Sequence, residues 1–160
     1  MNKLLTTLVV CLVAVVAMAA DSTTPSAFQM RLVVDNPSAD SEQLVLQKKN
    51  GETGQISSET VNVGKKVLLD QTSLKSVVAT KGRQGNWQVD FSLSPGGAER
   101  FAEITGKNIG QRLAIVIDGK LITAPIIQSP ITGGRGQITG NFTKQEAKDL
   151  AAKLNHAAHM

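Results

Sequence analysis

The sequence predicts an α+β fold, a mostly antiparallel (mixed) sheet with two amphipathic helices packed on one face, and three observations carry that expectation. Trp87–Leu93 alternates strictly, with Trp87, Val89, Phe91 and Leu93 on one side and Gln88, Asp90 and Ser92 on the other. One buried and one wet face is the pattern of an antiparallel sheet covered on one side. Leu113–Ile117 (LAIVI) is continuously apolar, as a central strand buried on both faces would be, and Asp118-Gly119 after it is a two-residue hairpin signal. Two helices announce themselves by their starts. Ser94-Pro95 offers a capping hydroxyl and a proline where no N–H is missed, and Thr143 to Glu146 has the form of a capping box.

The remaining elements follow in order. Phe28–Val34 alternates and reads as a strand, ended by the turn chemistry of Asp35-Asn36-Pro37-Ser38. Glu42–Lys48 is a second strand and Asn50-Gly51 a hairpin break. Glu59–Val63, Val67–Leu69 and Leu74–Thr80 are further extended pieces, and Lys81–Asn86 is a polar turn. The first helix runs to about Asn108, with Ala98, Phe101, Ala102, Thr105 and Ile109 on one face and Gly110 as a left-handed cap. Lys120–Ile127 returns from the hairpin, with Pro125 interrupting the ladder and marking an edge or bend. Gln137–Asn141 is a last strand. Ala147, Leu150, Ala151, Leu154 and Ala158 form the apolar stripe of the second helix.

The N-terminus has the organisation of a secretory signal. Lys3 is followed by the uncharged run Leu4–Val16 and by Ala17-Met18-Ala19, so cleavage is expected after Ala19 and an address outside the cytoplasm follows. The alternative is an uncleaved membrane anchor, since Leu4–Ala20 reaches the lower edge of the roughly 17–25 residues a spanning helix needs. Leu8-Val9-Val10-Cys11 has some lipobox character, but Val10 is too bulky before a modified cysteine. The expected organisation is a signal at 1–19, a linker at 20–27, N-terminal strands at 28–66, the main α+β domain at 67–155 and a frayed tail at 156–160. No membrane span is expected in the mature chain.

Composition narrows function. The one cysteine, Cys11, lies in the signal, so no thiol nucleophile, thiolate metal site or disulfide is expected beyond it. The formal net charge of +4 is interspersed with acids, and no tyrosine, one tryptophan and four phenylalanines supply no base-stacking ladder. Nucleic acid is therefore not expected as a partner. His156 and His159 could meet one metal ion, but no carboxylate lies near them in sequence, and a frayed end explains them. Neither a metal nor a cofactor is expected. A Ser–His or Cys–His pair lacks its histidine in the domain body. Asp70, Asp90, Glu99, Glu103 and Asp118 could converge as acid–base carboxylates, although turn, wet strand face and helix surface account for each. Gly133-Gly134-Arg135-Gly136 resembles a phosphate loop, yet a strand follows instead of a helix. Asn141-Phe142-Thr143 fits a glycosylation acceptor but also a strand end and helix cap. Trp87 is in phase with the core. An enzyme is not expected.

From Val67 to Leu154 the chain resembles a known family. The carrying residues are Arg112 to Lys120 (RLAIVIDGK), Ala124-Pro125-Ile126-Ile127, Ile131 to Thr143 (ITGGRGQITGNFT) and Glu146 to Ala151. Phe101 to Thr105 and Asn108-Ile109-Gly110 also fit, while Phe28–Lys66 matches less distinctly. Together they resemble the head of the large periplasmic domain of SecD, an accessory subunit of the bacterial Sec export machinery. The resemblance implies a non-catalytic periplasmic binding module that engages extended or unfolded polypeptide or a Sec component. It does not carry over the proton-coupled motor, whose membrane helices and intramembrane carboxylates have no counterpart in the matched stretch. The alternative is an envelope interaction domain that docks a folded partner. The expected polypeptide-binding surface is Ala124, Pro125, Ile126, Ile127 and Gln128 with Gly133, Gly134 and Arg135, apolar, proline-broken and glycine-rich, where an edge can take up an added strand.

Overall fold

The computed structural model describes residues 27–49, 55–83 and 85–159. The expected signal at 1–19, the expected linker up to Ser26 and the expected Asn50-Gly51 break lie outside the described residues. Among the described residues, nine strands and two helices follow one another: β1 (Phe28–Leu32), β2 (Ser41–Lys49), β3 (Ile56–Gly64), β4 (Leu69–Asp70), β5 (Leu74–Lys81), β6 (Trp87–Leu93), α1 (Pro95–Lys107), β7 (Leu113–Ile117), β8 (Lys120–Thr123), β9 (Arg135–Phe142) and α2 (Lys144–Ala158). A single 3-10 turn, Gln71–Ser73, sits between β4 and β5. The fold is α+β as expected, and every described strand pairing is antiparallel.

The expected single sheet is three. A four-stranded sheet has the order β4-β1-β7-β8, a three-stranded sheet has β5-β6-β9, and β2-β3 form a hairpin. The reason lies in β7. All five of its residues are buried, and they divide by parity between two cores. Leu113, Ile115 and Ile117 face the larger core with Phe28, Met30, Phe91, Phe101, Ile138 and Leu154. Ala114 and Val116 face the smaller one with Leu46, Val61, Val63, Leu121 and Ala124. A strand apolar on both faces needs cover on both. The helices and the three-stranded sheet cover one face, and the β2-β3 hairpin covers the other.

Local chemistry explains the element ends. Ser94 Oγ accepts from the Gly97 N–H, and Thr143 with Glu146 closes a reciprocal capping box. Asp118 and Gly119 turn the β7-β8 hairpin at φ +50 and +74, the left-handed geometry such turns require. In β5, Leu74 and Val77 both face inward although three residues apart, because a bulge lies between Leu74 and Ser76. α1 stops at Lys107, where the Asn108 side chain donates to the Ile104 carbonyl at 2.7 Å. Ile109 therefore lies past the helix, 54% exposed, and does not join the apolar stripe expected of it. None of the helices among the described residues is long and apolar enough to cross a membrane.

Candidate functional site

Past Thr123 the chain leaves β8 and continues beside the start of β7. The Leu113 N–H donates to the Pro125 carbonyl at 2.8 Å, and the Ile127 N–H donates to the Gln111 carbonyl at 2.9 Å. Arg112 and Ile126 face each other between these bonds as an isolated bridge. Pro125 thus contributes only its carbonyl, as a residue without an N–H must. Ile126, the unbonded member of that antiparallel pairing, turns its own N–H and C=O away from β7, and neither has a partner among the described residues. Its side chain is 60% exposed. Ala124 and Ile127 are buried, one in each core, whereas Pro125 and Gln128 are exposed.

The two halves of the expected surface do not meet. Ala124–Gln128 lies at the C-terminal end of α1, where the Gly110 N–H donates to Ile127. Gly133–Arg135 lies at the other end of that helix, with Gly134 against Ala98 and its carbonyl accepting from the Leu93 N–H. A helix of 13 residues separates them, about 20 Å of rise. The strap between them runs along α1. Buried Thr105 donates to the Phe101 carbonyl at 2.7 Å and accepts from the Ile131 N–H at 2.8 Å. Gly134 is buried in the left-handed region at φ +58, so its role here is conformational; Arg135 is exposed at the start of β9.

Two residues outside the expected binding surface, Ile109 and Arg112, complete the first half. Ile109 is exposed one residue before Gly110, which bonds Ile127, so Ile109 and Ile126 are two exposed apolar side chains at the same end of α1. Arg112 fixes the edge beneath them. Its Nε donates to the Ala124 carbonyl at 3.1 Å and its Nη1 to Glu59 at 2.7 Å, while Lys48 donates to the other Glu59 oxygen at 2.9 Å. Hydrogen bonds from Lys48 and Arg112 hold the Glu59 carboxyl at about 2, well below its ordinary value. These contacts span 53 residues in sequence, beyond any local pattern. Ile109 was expected on the apolar face of the first helix, and the helix end at Lys107 is what frees it from that stripe.

The other candidate chemistry stays apart. Asp70 accepts from Thr72 and caps the 3-10 turn. Asp90 accepts from Thr80 and Gln88. Glu103 pairs with Lys107 one turn on, which lowers its pKa, and Asp118 pairs with Lys153. Glu99 is exposed. Among the described residues no three His, Cys, Asp or Glu side chains converge on a possible metal position; His156 and His159 are exposed at the end of α2. Trp87 packs half-buried against the larger core, with the Lys144 ammonium 5.7 Å from its ring centre. Of Asn141, only its backbone place in β9 is described.

Residues 42–158 match the family model of the SecDF P1 head subdomain, a span that takes in β2 and β3 as well as the main domain. The chain is 47% identical over 93 residues to the protein translocase subunit SecD of Acetobacter pasteurianus, covering 58% of this chain and 18% of that protein. With the SecD of Magnetococcus marinus it is 38% identical over 120 residues, 75% of this chain and 23% of that one. It thus spans about a fifth of the length of these relatives. A solved structure described as "Structure and function of a membrane component SecDF that enhances protein export" superposes with a TM-score of 0.63 at 30% identity, covering 81% of this chain and 61% of that one. The "Crystal structure of SecDF in Super-membrane-facing form" gives 0.64 at 30% identity, over 81% and 18% of the two chains.

Proposed function

The chain belongs to the SecDF P1 head subdomain family, and from that premise we propose that it is a non-catalytic module, exported to the periplasm, that binds extended polypeptide in the service of protein translocation. The observation that carries this reading is the Ile126 edge. Its backbone N–H and C=O are turned outward without partners among the described residues, flanked by the exposed side chains of Ile109 and Ile126. An extended chain supplies complementary backbone groups at such an edge, and its alternate side chains cover the apolar patch. Arg112 holds the Ala124 carbonyl and limits the free edge to Ile126 and Gln128. A short edge suits transient capture of many sequences better than tight binding of one.

The test is titration of the protein with a reduced, carboxymethylated and permanently unfolded polypeptide, read by fluorescence anisotropy. The expected result is saturable binding weakened at least about fivefold by Ile126→Asp and by Ile109→Asp, each at unchanged stability. No affinity up to about 500 μM would overturn the reading. So would purification from the envelope with one folded partner whose binding ignores unfolded chains, which would assign the domain to docking instead.

A further inference from the structure

A run of side-chain hydrogen bonds joins the β2-β3 hairpin to the Ile126 edge. Lys48 of β2 donates to one oxygen of Glu59 in β3 at 2.9 Å, and Arg112 Nη1 donates to the other at 2.7 Å. The Nε of the same guanidinium donates to the Ala124 carbonyl at 3.1 Å. With a donor on each oxygen the Glu59 carboxylate is fixed in orientation, and it fixes the planar guanidinium in turn. The hairpin has further supports. Leu46, Val61 and Val63 are buried in the smaller core, and the Val34 N–H donates to the Asn62 carbonyl at 2.9 Å. Loosening Glu59 therefore leaves β2 and β3 in place and acts on the position of Arg112.

That position ends the edge. Backbone groups return to the same side of an extended chain at every second residue. The Pro125 carbonyl and the Ile127 N–H are bonded on the β7 side, so Ala124, Ile126 and Gln128 alternate with them along the outer side. The backbone of Ile126 has no partner there among the described residues, whereas the Ala124 carbonyl is held by Arg112. A strand added at Ile126 runs on beside Ala124 only if the guanidinium gives way. The contact suits such an exchange. Arg112 and Glu59 are both partly exposed. A backbone N–H of the incoming strand is a substitute donor to the Ala124 carbonyl, and Arg112 keeps Glu59 through Nη1.

We propose that the β2-β3 hairpin regulates polypeptide capture: Glu59 holds Arg112 against the Ala124 carbonyl and so ends the binding edge, and release of that contact lengthens the edge and tightens capture. This rests on the reading of Ile126 as a polypeptide-binding edge. Arg112 and Glu59 are positioning residues, Glu59 acting only through Arg112. The full chain is titrated with the same carboxymethylated, unfolded polypeptide as wild type, Glu59→Gln, Arg112→Met and the double variant. Arg112→Met is expected to tighten binding about three- to tenfold, the effect of one further backbone hydrogen bond. Glu59→Gln should tighten it about twofold, and the double variant should bind no tighter than Arg112→Met. Amide shifts at saturation, mapped by NMR, should extend to Thr123 and Ala124 in the variants and stay at Ile126–Gln128 in the wild type. General destabilisation produces no such local extension. Unchanged or weaker binding by the variants beside a wild type that binds overturns the proposal and leaves capture at Ile126 standing, as do additive effects of the two substitutions. A wild type that does not bind overturns the reading of the edge itself. Glu59→Gln keeps the shape of the side chain and decides the question alone where Arg112→Met does not fold.

Discussion

The Asn155 side chain of α2 occupies the place of a neighbouring strand beside Val77. Its Oδ1 accepts from the Val77 N–H at 2.8 Å and its Nδ2 donates to the Val77 carbonyl at 2.6 Å. β5 is an outer strand of the three-stranded sheet, and Val77 is the buried residue at its middle. A helix laid across a sheet edge cannot normally satisfy the ladder, but a primary amide presents an N–H donor and a C=O acceptor side by side. The edge of β5 is thus closed at Val77, whereas the backbone groups of Ile126 have no partner among the described residues.

Replacing Asn155 by alanine removes both bonds and leaves Val77 with two unpaired groups under a helix. The expected loss is about 1–3 kcal/mol in urea unfolding. Asn155→Asp should not rescue, because its carboxylate accepts from the N–H but opposes the Val77 carbonyl. An Asn155→Ala protein as stable as wild type would show that water replaces the amide there.

Thr105 is the equivalent point on α1. The sequence places it on the apolar face, and it is fully buried there, but its hydroxyl works in two directions, to Phe101 and from Ile131. Thr105→Val keeps the shape and strands the Ile131 N–H, at an expected cost of about 1–3 kcal/mol. Thr105→Ser keeps the hydroxyl and should lose less. Amide exchange at Ile131 should accelerate in the valine variant and not in the serine variant, which separates release of the strap from general destabilisation.

What was legible in the sequence is what neighbours in the chain decide. Trp87–Leu93 and Leu113–Ile117 match their strands end to end because alternation and unbroken apolarity reflect the faces they meet. Both helix starts were legible because a cap lies within three residues of its partner. The division into three sheets was not, since nothing local to β2 and β3 says that they cover the far side of β7. The surface at Ala124–Gln128 was recognisable as an irregular apolar stretch. Its separation from Gly133–Arg135 depends on how the strap runs along α1, which only the bond between Thr105 and Ile131 fixes. Asn155 with Val77, and Arg112 with Glu59, join residues too far apart for periodicity to register.

Gly134 tests the reading of the glycine-rich segment as conformational. It is at φ +58, and a Cβ there would stand 2.5 Å from the Ala98 Cβ. Gly134→Ala should therefore destabilise by about 1–3 kcal/mol, from left-handed strain together with overpacking. Adding Ala98→Gly removes the collision but not the strain, so the double variant should recover part of the loss beyond the cost of a helical glycine. Full recovery would mean that the backbone geometry is inexpensive, and no recovery that the contact with α1 is.

The last prediction concerns acid. Glu59 joins β3 to Arg112, which also holds the Ala124 carbonyl, so this carboxylate lies one residue from the open edge's support. Its pKa is lowered from 4.5 to about 2, first by the hydrogen bond from Lys48 and next by that from Arg112. A carboxyl depressed in the folded protein contributes stability above its unfolded pKa and loses it as pH falls through the folded value. Wild type should therefore exceed Glu59→Gln in urea midpoint at pH 6–7, with the gap closing between about pH 4.5 and 2. Because the pair is at the surface, about 0.5 M salt should narrow the gap at neutral pH as well. A difference that persists unchanged at pH 2 would show that the glutamine disturbs packing of the hairpin and that the ion pairs with Lys48 and Arg112 are not what holds it.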